Sequence, residues 1–386
     1  MADLIRSLKE ALCRRVDHMH GSMCDLSDRI HKNPELGLEE HKAAGWLATA
    51  LRESGFDVER GIGGLETAFR GVSRIGSGGP VACLILEYDA LPVLGHACGH
   101  NVSGVASLSA AIALRETMLE HSVDGTIVAL GTPAEESCAG KVTLIEAGLL
   151  EDVDYSMMAH MYHRNEAAPV FLALDAPTFT FTGKPAHAAG APHMGVNALN
   201  AVRLTFAGID ALRQHVQDDA RIHGIITEGG DAPNVVPERS SANVFTRAIE
   251  RAYLDEVTEC VKNCARGAAL ATGAELEITS FERSTDNLVT NAKLIDLFKK
   301  NWIEFATDIN ETGPPVGSTD MGNVSHVVPS IHPMLALAPE GTPLHTREFA
   351  ASAGSKQAHD VLAVAAKALG MTALDVAVSP DVLDQA

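Results

Sequence analysis

The chain has 386 residues, 46% of them hydrophobic and 21% charged, which is typical of a globular protein and excludes a disordered chain or a coiled coil. Its 30 basic and 50 acidic residues give a net charge of −20, which argues against nucleic acid or an anionic membrane surface as a partner. No unbroken apolar run approaches the ~18 residues of a membrane span.

The N-terminal segment and the cysteines indicate a cytoplasmic protein. Residues 1–20 have the pattern of a charged amphipathic helix rather than that of a signal peptide. The seven cysteines form an odd, scattered set, which predicts free thiols and not a disulfide framework. We therefore expect the protein to work in a reducing cytoplasm.

Short apolar runs that end in polar residues recur along the chain. They cover residues 81–86, 126–130, 155–159 and 334–338, with helical patterns at 39–54, 101–121 and 141–150. Continuous apolar runs of this length suit strands that are buried on both faces of a mostly parallel sheet. The sequence therefore predicts an α/β catalytic domain, in which ligands bind beyond the carboxyl ends of the strands.

The segment 176–282 follows a different order of elements. Strands are predicted at 178–183, 221–227, 242–249 and 275–281, and helices at about 196–217 and 253–272. The resulting order, β-α-β-β-α-β, is that of a ferredoxin-like unit. We therefore predict a catalytic domain of residues 1–175 and 283–386 with a ferredoxin-like domain, residues 176–282, inserted in it.

Side chains that suit a transition metal follow the predicted strands of the catalytic domain. They are Cys98, His100, Glu135, Glu136, His160 and His345. Thiolate, imidazole and carboxylate ligands favour Zn²⁺, Mn²⁺, Co²⁺ or Ni²⁺ over Ca²⁺ or Mg²⁺, and five ligands allow a two-metal centre. If the backbone is extended at Glu135 and Glu136, their side chains diverge, so that one can bind metal and the other can move protons.

Each pattern alone has a simpler interpretation. A single histidine at a strand end is structural in most proteins, and adjacent glutamates usually lie on solvated faces. Cys98 with a nearby histidine is also the pattern of a nucleophile and its base, although no orienting Asn or Asp is identifiable. Cys260 and Cys264 are one helical turn apart, but Cys264 fits an apolar stripe, which favours core packing. Four clusters at four strand ends together favour the metal site.

The sequence resembles the amidohydrolase branch of the aminoacylase and carboxypeptidase-G superfamily, which includes hippurate, auxin-conjugate and aminobenzoyl-glutamate hydrolases. The resemblance covers nearly the whole chain. It rests on residues 33–37, 89–92, 96–100, 133–136, 183–187, 232–237 and 345–346. The order of so many segments makes the resemblance specific.

The resemblance implies a role for each residue. It implies metal ligands at Cys98, His100, Glu136, His160 and His345, with Glu135 as the general base. It also implies that the inserted domain is a lid that carries the contact of a homodimer. In such a dimer His187 helps to polarise the substrate carbonyl, often across the two subunits. Asn234, in the matching segment 232–237, is a candidate substrate-binding residue.

One position departs from the common pattern of this branch. Asn101 follows His100 where most members have Asp, and an Asn cannot supply negative charge, which predicts a weaker or differently tuned second metal site. Together with residues 317–325, this ending is similar to that of dipeptidase-like and aminobenzoyl-glutamate-hydrolase members.

The prediction is a metal-dependent hydrolase that cleaves an amide bond of a small N-acyl amino acid, aryl-amide conjugate or dipeptide. One or two Mn²⁺ or Zn²⁺ ions, with Co²⁺ or Ni²⁺ as alternatives, would activate the water and Glu135 would take its proton. Two alternatives remain: a hydrolytic deaminase of an aromatic amine at the same metal site, and a catalytically silent ligand-binding relative. The presence of Glu135 and five candidate ligands favours the amide hydrolase, because a binding module needs no proton shuttle.

Overall fold

The computed structural model describes residues 2–306 and 308–383. The α-helices are α1 (Ala2–His31), α2 (His41–Glu53), α3 (His100–His121), α4 (Glu135–Cys138), α5 (Gly140–Glu146), α6 (Ala198–Leu212), α7 (Arg251–Thr272), α8 (Ala292–Trp302), α9 (Met321–Val327), α10 (Arg347–Ala353) and α11 (Lys356–Val378). The strands are β1 (Asp57–Arg60), β2 (Phe69–Ile75), β3 (Val81–Leu86), β4 (Gly125–Gly131), β5 (Tyr155–Met157), β6 (His160–Tyr162), β7 (Ala173–Asp175), β8 (Pro177–Thr182), β9 (Arg221–Glu228), β10 (Arg239–Ala248), β11 (Glu275–Ser280), β12 (Ser330–Ile331) and β13 (Met334–Ala336).

The chain divides into two compact units. The first unit contains the residues up to Val170, Leu288–Val316 and the residues from Asp320 onward. The second unit contains Phe171–Asn287 and Gly317–Thr319. The second unit is thus wider than the predicted insertion, residues 176–282. The second unit begins before residue 176 because β7 pairs with β10, along the same side of β10 as β8. Strand β7 therefore belongs to the sheet of the second unit.

The first unit is built on a six-stranded sheet in the order β1-β2-β4-β3-β5-β12. The pairs β4/β3, β3/β5 and β5/β12 are parallel, whereas β1/β2 and β2/β4 are antiparallel. Leu84 and Leu86 of β3 belong to a core shared with α1, α3 and α11, while Cys83 and Ile85 belong to a second core shared with α5 and α9. Helices therefore cover both faces of the sheet, and the predicted α/β class is confirmed.

The predicted strand at 334–338 does not join this sheet. Residues Met334–Ala336 form β13, which pairs in parallel with β6 in a separate two-stranded sheet, with Met334 opposite His160. The chain leaves the main sheet after β12 at His332 and Pro333, because proline cannot donate a ladder hydrogen bond. The Pro333 carbonyl instead accepts from His160 N at 2.9 Å, which fixes the start of β6.

Two helices of the first unit are apolar over a length that no unbroken apolar run of the sequence reaches. By length and composition alone, α3 and α11 are apolar enough to cross a membrane. However, 83% of the most apolar window of α3 and 61% of that of α11 are buried inside the protein. Such burial is typical of core helices, and α3 packs against both α1 and α11.

The second unit is an antiparallel sheet with helices packed on one face. The strand order is β11-β8-β10, and β10 also pairs with β7 and β9. Along β8, Phe179 and Phe181 are buried, whereas Thr178 and Thr180 are only partly buried, as expected for a strand with one face on the core. The two phenylalanines share their core with residues of α6 and α7, including Val261.

Candidate active site

The segment 96–100 turns sharply into α3 and places two candidate ligands there. Gly99 has φ +77°, and a Cβ on it would lie 2.7 Å from Met161 Cβ, so only glycine fits this turn. The next residue, His100, is fully buried, and its Nδ1 donates to Asp89 Oδ1 at 2.9 Å. This hydrogen bond sets the tautomer and leaves Nε2 as the atom that can bind a metal.

Glu135 and Glu136 begin α4, a helical turn of four residues. The backbone is therefore helical here and not extended, but the side chains still diverge because successive helical residues point about 100° apart. The residues that flank the turn, Ala134 and Ala139, have φ +61° and +52°, a conformation that is costly for alanine. The turn is held from outside: Ala134 N donates to Glu40 Oε1 at 2.8 Å and Glu136 N donates to Asp89 Oδ2 at 3.0 Å.

The motif at 33–37 supports the same turn. Glu35 accepts from Ala90 N through its carbonyl and from two backbone N–H groups at the start of α2 through its carboxylate. A Cβ on Gly37 would lie 2.3 Å from Ser137 Oγ, so glycine permits the close approach of this motif to α4. The motif is therefore a support for the carboxylate turn.

The two remaining histidines come from the start of a strand and from the loop before α10. His160 begins β6 and donates from Nδ1 to the Met161 carbonyl at 2.8 Å, which leaves Nε2 as the atom that can bind a metal. His345 has φ +59°, and its backbone N donates to the Ala97 carbonyl at 3.0 Å. This bond ties the C-terminal loop directly to the segment that carries Cys98.

The five predicted ligands lie together in the first unit. Cys98 Sγ is 3.5 Å from His160 Nε2 and 3.7 Å from His345 Nε2. The ligand atoms of Cys98, His100 and His160 all lie within 4.8 Å of one another, as do those of Cys98, Glu136 and His345. Since Cys98 belongs to both groups, the arrangement has room for one ion or for two that share the thiolate.

The chemistry of these atoms fits a bound cation. Among the described residues, the buried atoms His100 Nε2 and Glu136 Oε1 have no hydrogen-bond partner. Burial lowers the pKa of His160 to about 4, with the His100 charge as the next cause, so its imidazole is the neutral form that binds metals. Sulfur, imidazole and carboxylate donors in this geometry suit a divalent transition metal.

Charged groups around the ligands were missed by the sequence analysis. They are Glu40, Glu87, Asp89, Lys141 and Asp320, all buried. Burial opposes protonation of His100, but the Asp89 and Glu87 carboxylates raise its pKa well above the usual value. A signal existed for Glu87 and Asp89, which directly follow an apolar run, whereas a helical Lys141 is ordinarily a solvated residue.

The side chain of Asn101 is held by hydrogen bonds inside the protein. Its side chain is fully buried, and Nδ2 donates to Ser27 Oγ at 3.0 Å and to the Ala353 carbonyl at 2.9 Å. An aspartate could not donate to this carbonyl. Asn101 therefore links α3 to α1 and α10, and the predicted effect on the second metal site stays a prediction.

The structure places His187 and Asn234 in the second unit, where both are exposed. Their loops are joined by a hydrogen bond from Ala188 N to the Asn234 carbonyl at 3.0 Å. His187 Nδ1 accepts from the backbone N–H of Ala189 and Gly190, so the ring carries its proton on Nε2. The exposed ring nitrogen is thus a hydrogen-bond donor.

A protein-family profile described as Peptidase family M20/M25/M40 matches residues 87–369. The chain belongs to this family. The M20 assignment confirms the predicted superfamily and the predicted class of activity, a metal-dependent hydrolase of amide bonds. It disfavours the silent binding relative, while the deaminase at the same metal site stays an alternative prediction.

Similar proteins agree with the M20 assignment. The chain is 38% identical to Xaa-Arg dipeptidase of Mus musculus, over 98% of this chain and 90% of that protein. It is 29% identical to one of the subunits of p-aminobenzoyl-glutamate hydrolase from Escherichia coli (strain K12), over 94% and 90%. Its fold is similar to that of a dinuclear metal-binding M20 peptidase from Bacillus subtilis, with a TM-score of 0.69, 18% identity and coverage of 93% and 99%.

Proposed function

We propose that the protein is a dipeptidase that uses Cys98, His100, Glu136, His160 and His345 to hold one or two divalent transition ions, Mn²⁺ or Zn²⁺, and Glu135 as its general base. The observation that carries this proposal is the pair of ligand groups that share Cys98. When bound, the ions would polarise the scissile carbonyl and make the attacking water more acidic.

The proposed role of Glu135 follows from its position next to the ligands. A carboxylate oxygen of Glu135 lies within 4.8 Å of ligand atoms of His100 and Glu136. A carboxylate at this distance can accept a proton from the attacking water and pass it to the leaving amide nitrogen. Glu136, held by Asp89 through its backbone N–H, stays available as a ligand.

For the substrate, we propose a dipeptide with a basic C-terminal residue. Support comes from the similarity to Xaa-Arg dipeptidase, which is higher than that to the aminobenzoyl-glutamate hydrolase. The test is hydrolysis by the Mn²⁺- or Zn²⁺-loaded protein of matched Xaa-Arg, Xaa-Lys and Xaa-Glu dipeptides, together with aminobenzoyl-glutamate and hippurate. Preference for a C-terminal glutamate would reject the substrate class, and full activity of verified metal-free protein would reject the mechanism.

We also propose that the second unit is a ferredoxin-like lid through which two chains form a homodimer. The elements β8-α6-β9-β10-α7-β11, with the sheet order β11-β8-β10-β9, support the ferredoxin-like assignment. Strand β9 is an edge strand on which Ile225 is 65% and Ile226 46% exposed. An open edge with exposed isoleucines suits pairing with a second copy.

The dimer is tested by Ile225→Lys, with Leu270→Lys as the control because Leu270 is 88% exposed on α7. Analytical ultracentrifugation should show a dimer for the native chain and the control, and a monomer for Ile225→Lys. A native chain that is monomeric at micromolar concentration would reject the proposal.

Within such a dimer, we propose that His187 of one subunit stabilises the oxyanion that forms in the other. The Nε2–H tautomer of His187 supports this role, since an oxyanion needs a donor. Mixed Glu135→Gln and His187→Ala subunits at full exchange should form about half heterodimers, with one intact site of two. Activity should then return to roughly a quarter of the native value. Heterodimers without activity would place His187 within its own chain or outside the reaction.

A further inference from the structure

Lys141 is a lysine buried between two carboxylates. Its ammonium Nζ lies 2.6 Å from Glu87 Oε1 and 2.6 Å from Asp320 Oδ1, and the three side chains are at most 1% exposed. Its backbone N–H also donates to Asp320 Oδ2 at 3.0 Å. Asp320 therefore holds Lys141 at both the main chain and the side chain, and the residue has little freedom to move.

This ion cluster adjoins the proposed general base. Carboxylate oxygens of Glu87, Glu135 and Asp320 all lie within 4.8 Å of one another. Glu135 is also a member of the group that contains His100 and Glu136. Glu135 thus lies between the proposed metal ligands and the cluster around Lys141.

Glu87 connects the same cluster to a proposed ligand. While Oε1 is held by Lys141, the buried Oε2 lies 3.4 Å from His100 Nε2, and neither of these atoms has a hydrogen bond within the described residues. The orientation of the Glu87 carboxylate therefore determines what the ligand nitrogen of His100 faces.

Three carboxylates this close together repel one another unless a cation lies among them. Here the ammonium of Lys141 bridges two of the three, so the cluster carries its own cation. Without Lys141, Glu87 and Asp320 would lose the partner that holds them in place, and repulsion would act on Glu135. The position of Glu135 and the surroundings of His100 both depend on this one side chain.

We infer that Lys141 is a positioning residue for the amide hydrolysis: its ammonium fixes Glu87 and Asp320, and through them the general base Glu135 and the ligand His100. The inference rests on the proposed function, because it assigns Glu135 as the base. A purely structural role for Lys141 predicts a loss of stability only. A positioning role predicts in addition a changed metal environment and a lower kcat with KM retained.

The experiment compares Lys141→Met, Asp320→Asn and the double variant, which is charge-balanced, with Lys9→Met as the matched control. Lys9 is a part-buried lysine of the first unit whose ammonium is paired with Asp375 at 2.7 Å. This pair joins α1 to α11. Each protein is loaded with Co²⁺, and its visible spectrum, Co²⁺ affinity, unfolding midpoint, kcat and KM are measured.

Substitution of residues that hold the ligands of a metal site typically changes metal affinity or activity about 10–100-fold. We expect a loss of this size in kcat, together with an altered Co²⁺ spectrum, in Lys141→Met and the double variant. Lys9→Met should lose stability only. A folded double variant with native kcat and native spectrum overturns the inference. If the Lys141 variants do not fold, the kcat and the Co²⁺ spectrum of Asp320→Asn test the inference. Asparagine keeps the shape of the Asp320 side chain and an oxygen that can accept from Lys141 N–H. Should the native protein cleave no amide, the proposed function fails, and the Co²⁺ spectrum still tests the positioning role.

Discussion

The buried centre of the first compact unit is charged, whereas that of the second is neutral. Among the described residues, the buried Asp, Glu, Lys and His side chains all lie in the first unit: Glu40, Glu87, Asp89, His96, His100, Lys141, His160, Glu166, Asp320 and His332. The buried polar residues of the second unit are Ser, Thr and Asn. Burying charge costs free energy unless it is paired, so the charged groups that give the first unit its chemistry lower its free energy of unfolding wherever they are unpaired. The core of the second unit, which buries no such groups, has no such cost.

The largest effect that this comparison predicts is on catalysis, in the first unit. Glu135→Gln should lower kcat by ~10²–10⁴, the usual effect of removing a positioned general base, while fold and metal content remain. Steady-state kinetics and metal analysis of the same preparation measure it. Loss of metal in Glu135→Gln, with retention in Glu136→Gln, would mean that the two carboxylates have exchanged roles.

In the second unit the largest effect should be on stability. Phe179 is fully buried, so Phe179→Ala should cost ~3–5 kcal/mol of unfolding free energy. The cost should be visible in urea unfolding. The control Leu270→Ala should stay within about 0.5 kcal/mol of the native protein, because Leu270 is exposed. Release of metal by folded Phe179→Ala would break the comparison between the units.

Metal removal should act on the first unit alone. An ion at 100 times its Kd stabilises the folded state by about 2.7 kcal/mol, so a chelator should lower the unfolding temperature. Hydrogen exchange should quicken in α4 and β6, where candidate ligands lie, and stay unchanged in β8 of the second unit. Equal loss of protection from hydrogen exchange in both units would contradict the prediction that metal removal acts on the first unit alone.

Acid should weaken the second unit through Asp175. Burial opposes its ionisation, but hydrogen bonds from Arg251, Ser284 and Thr258 lower the pKa of this carboxyl. Since the folded pKa is the lower one, the stability that it gives is present above the ordinary value of 3.8 and is lost as the pH falls through the folded value. Asp175→Asn should therefore be destabilising at pH 7, and its difference from the native protein should shrink in urea unfolding below about pH 4.

Glu40 in the first unit should show the opposite sign. Burial raises the pKa of Glu40 from 4.5 to about 7, so the stability of the native protein should decrease as the pH rises through this interval. Glu40→Gln, which cannot ionise, should gain stability relative to the native protein between pH 5 and pH 8. Thermal unfolding at the two pH values measures the gain, and an unchanged difference would show that Glu40 does not titrate there.

Local patterns were enough to predict most elements of the fold. The buried strands β3, β4 and β5 are continuous apolar runs, and α7 shows its buried stripe at the helical period. The pairing of β13 with β6 was not predictable, because a short apolar run has the same pattern in either sheet. Strand β7, of three residues, was missed.

The candidate site shows the same division between local and distant information. Cys98, His100 and the two glutamates stand in recognisable segments at strand ends, and the structure brings them together. The partners Lys141 and Asp320 are far apart in sequence and belong to ordinary polar patterns, so only the folded chain reveals their ion pair. The helical turn at α4 was missed because it is set by contacts from Glu40 and Asp89, not by local propensity.

The hydrogen bond from His345 N to the Ala97 carbonyl has a consequence for the order of folding. It joins the loop that carries Cys98 to a residue close to the end of the chain, and β6 likewise needs β13 as its partner. By contrast, nearly all of the second unit is one uninterrupted stretch, Phe171–Asn287. Contacts between distant residues form slowly, and domains fold as units during synthesis. We therefore expect the stretch Phe171–Asn287 to fold while the ligand set still lacks His345, and ion capture to follow the folding of this stretch.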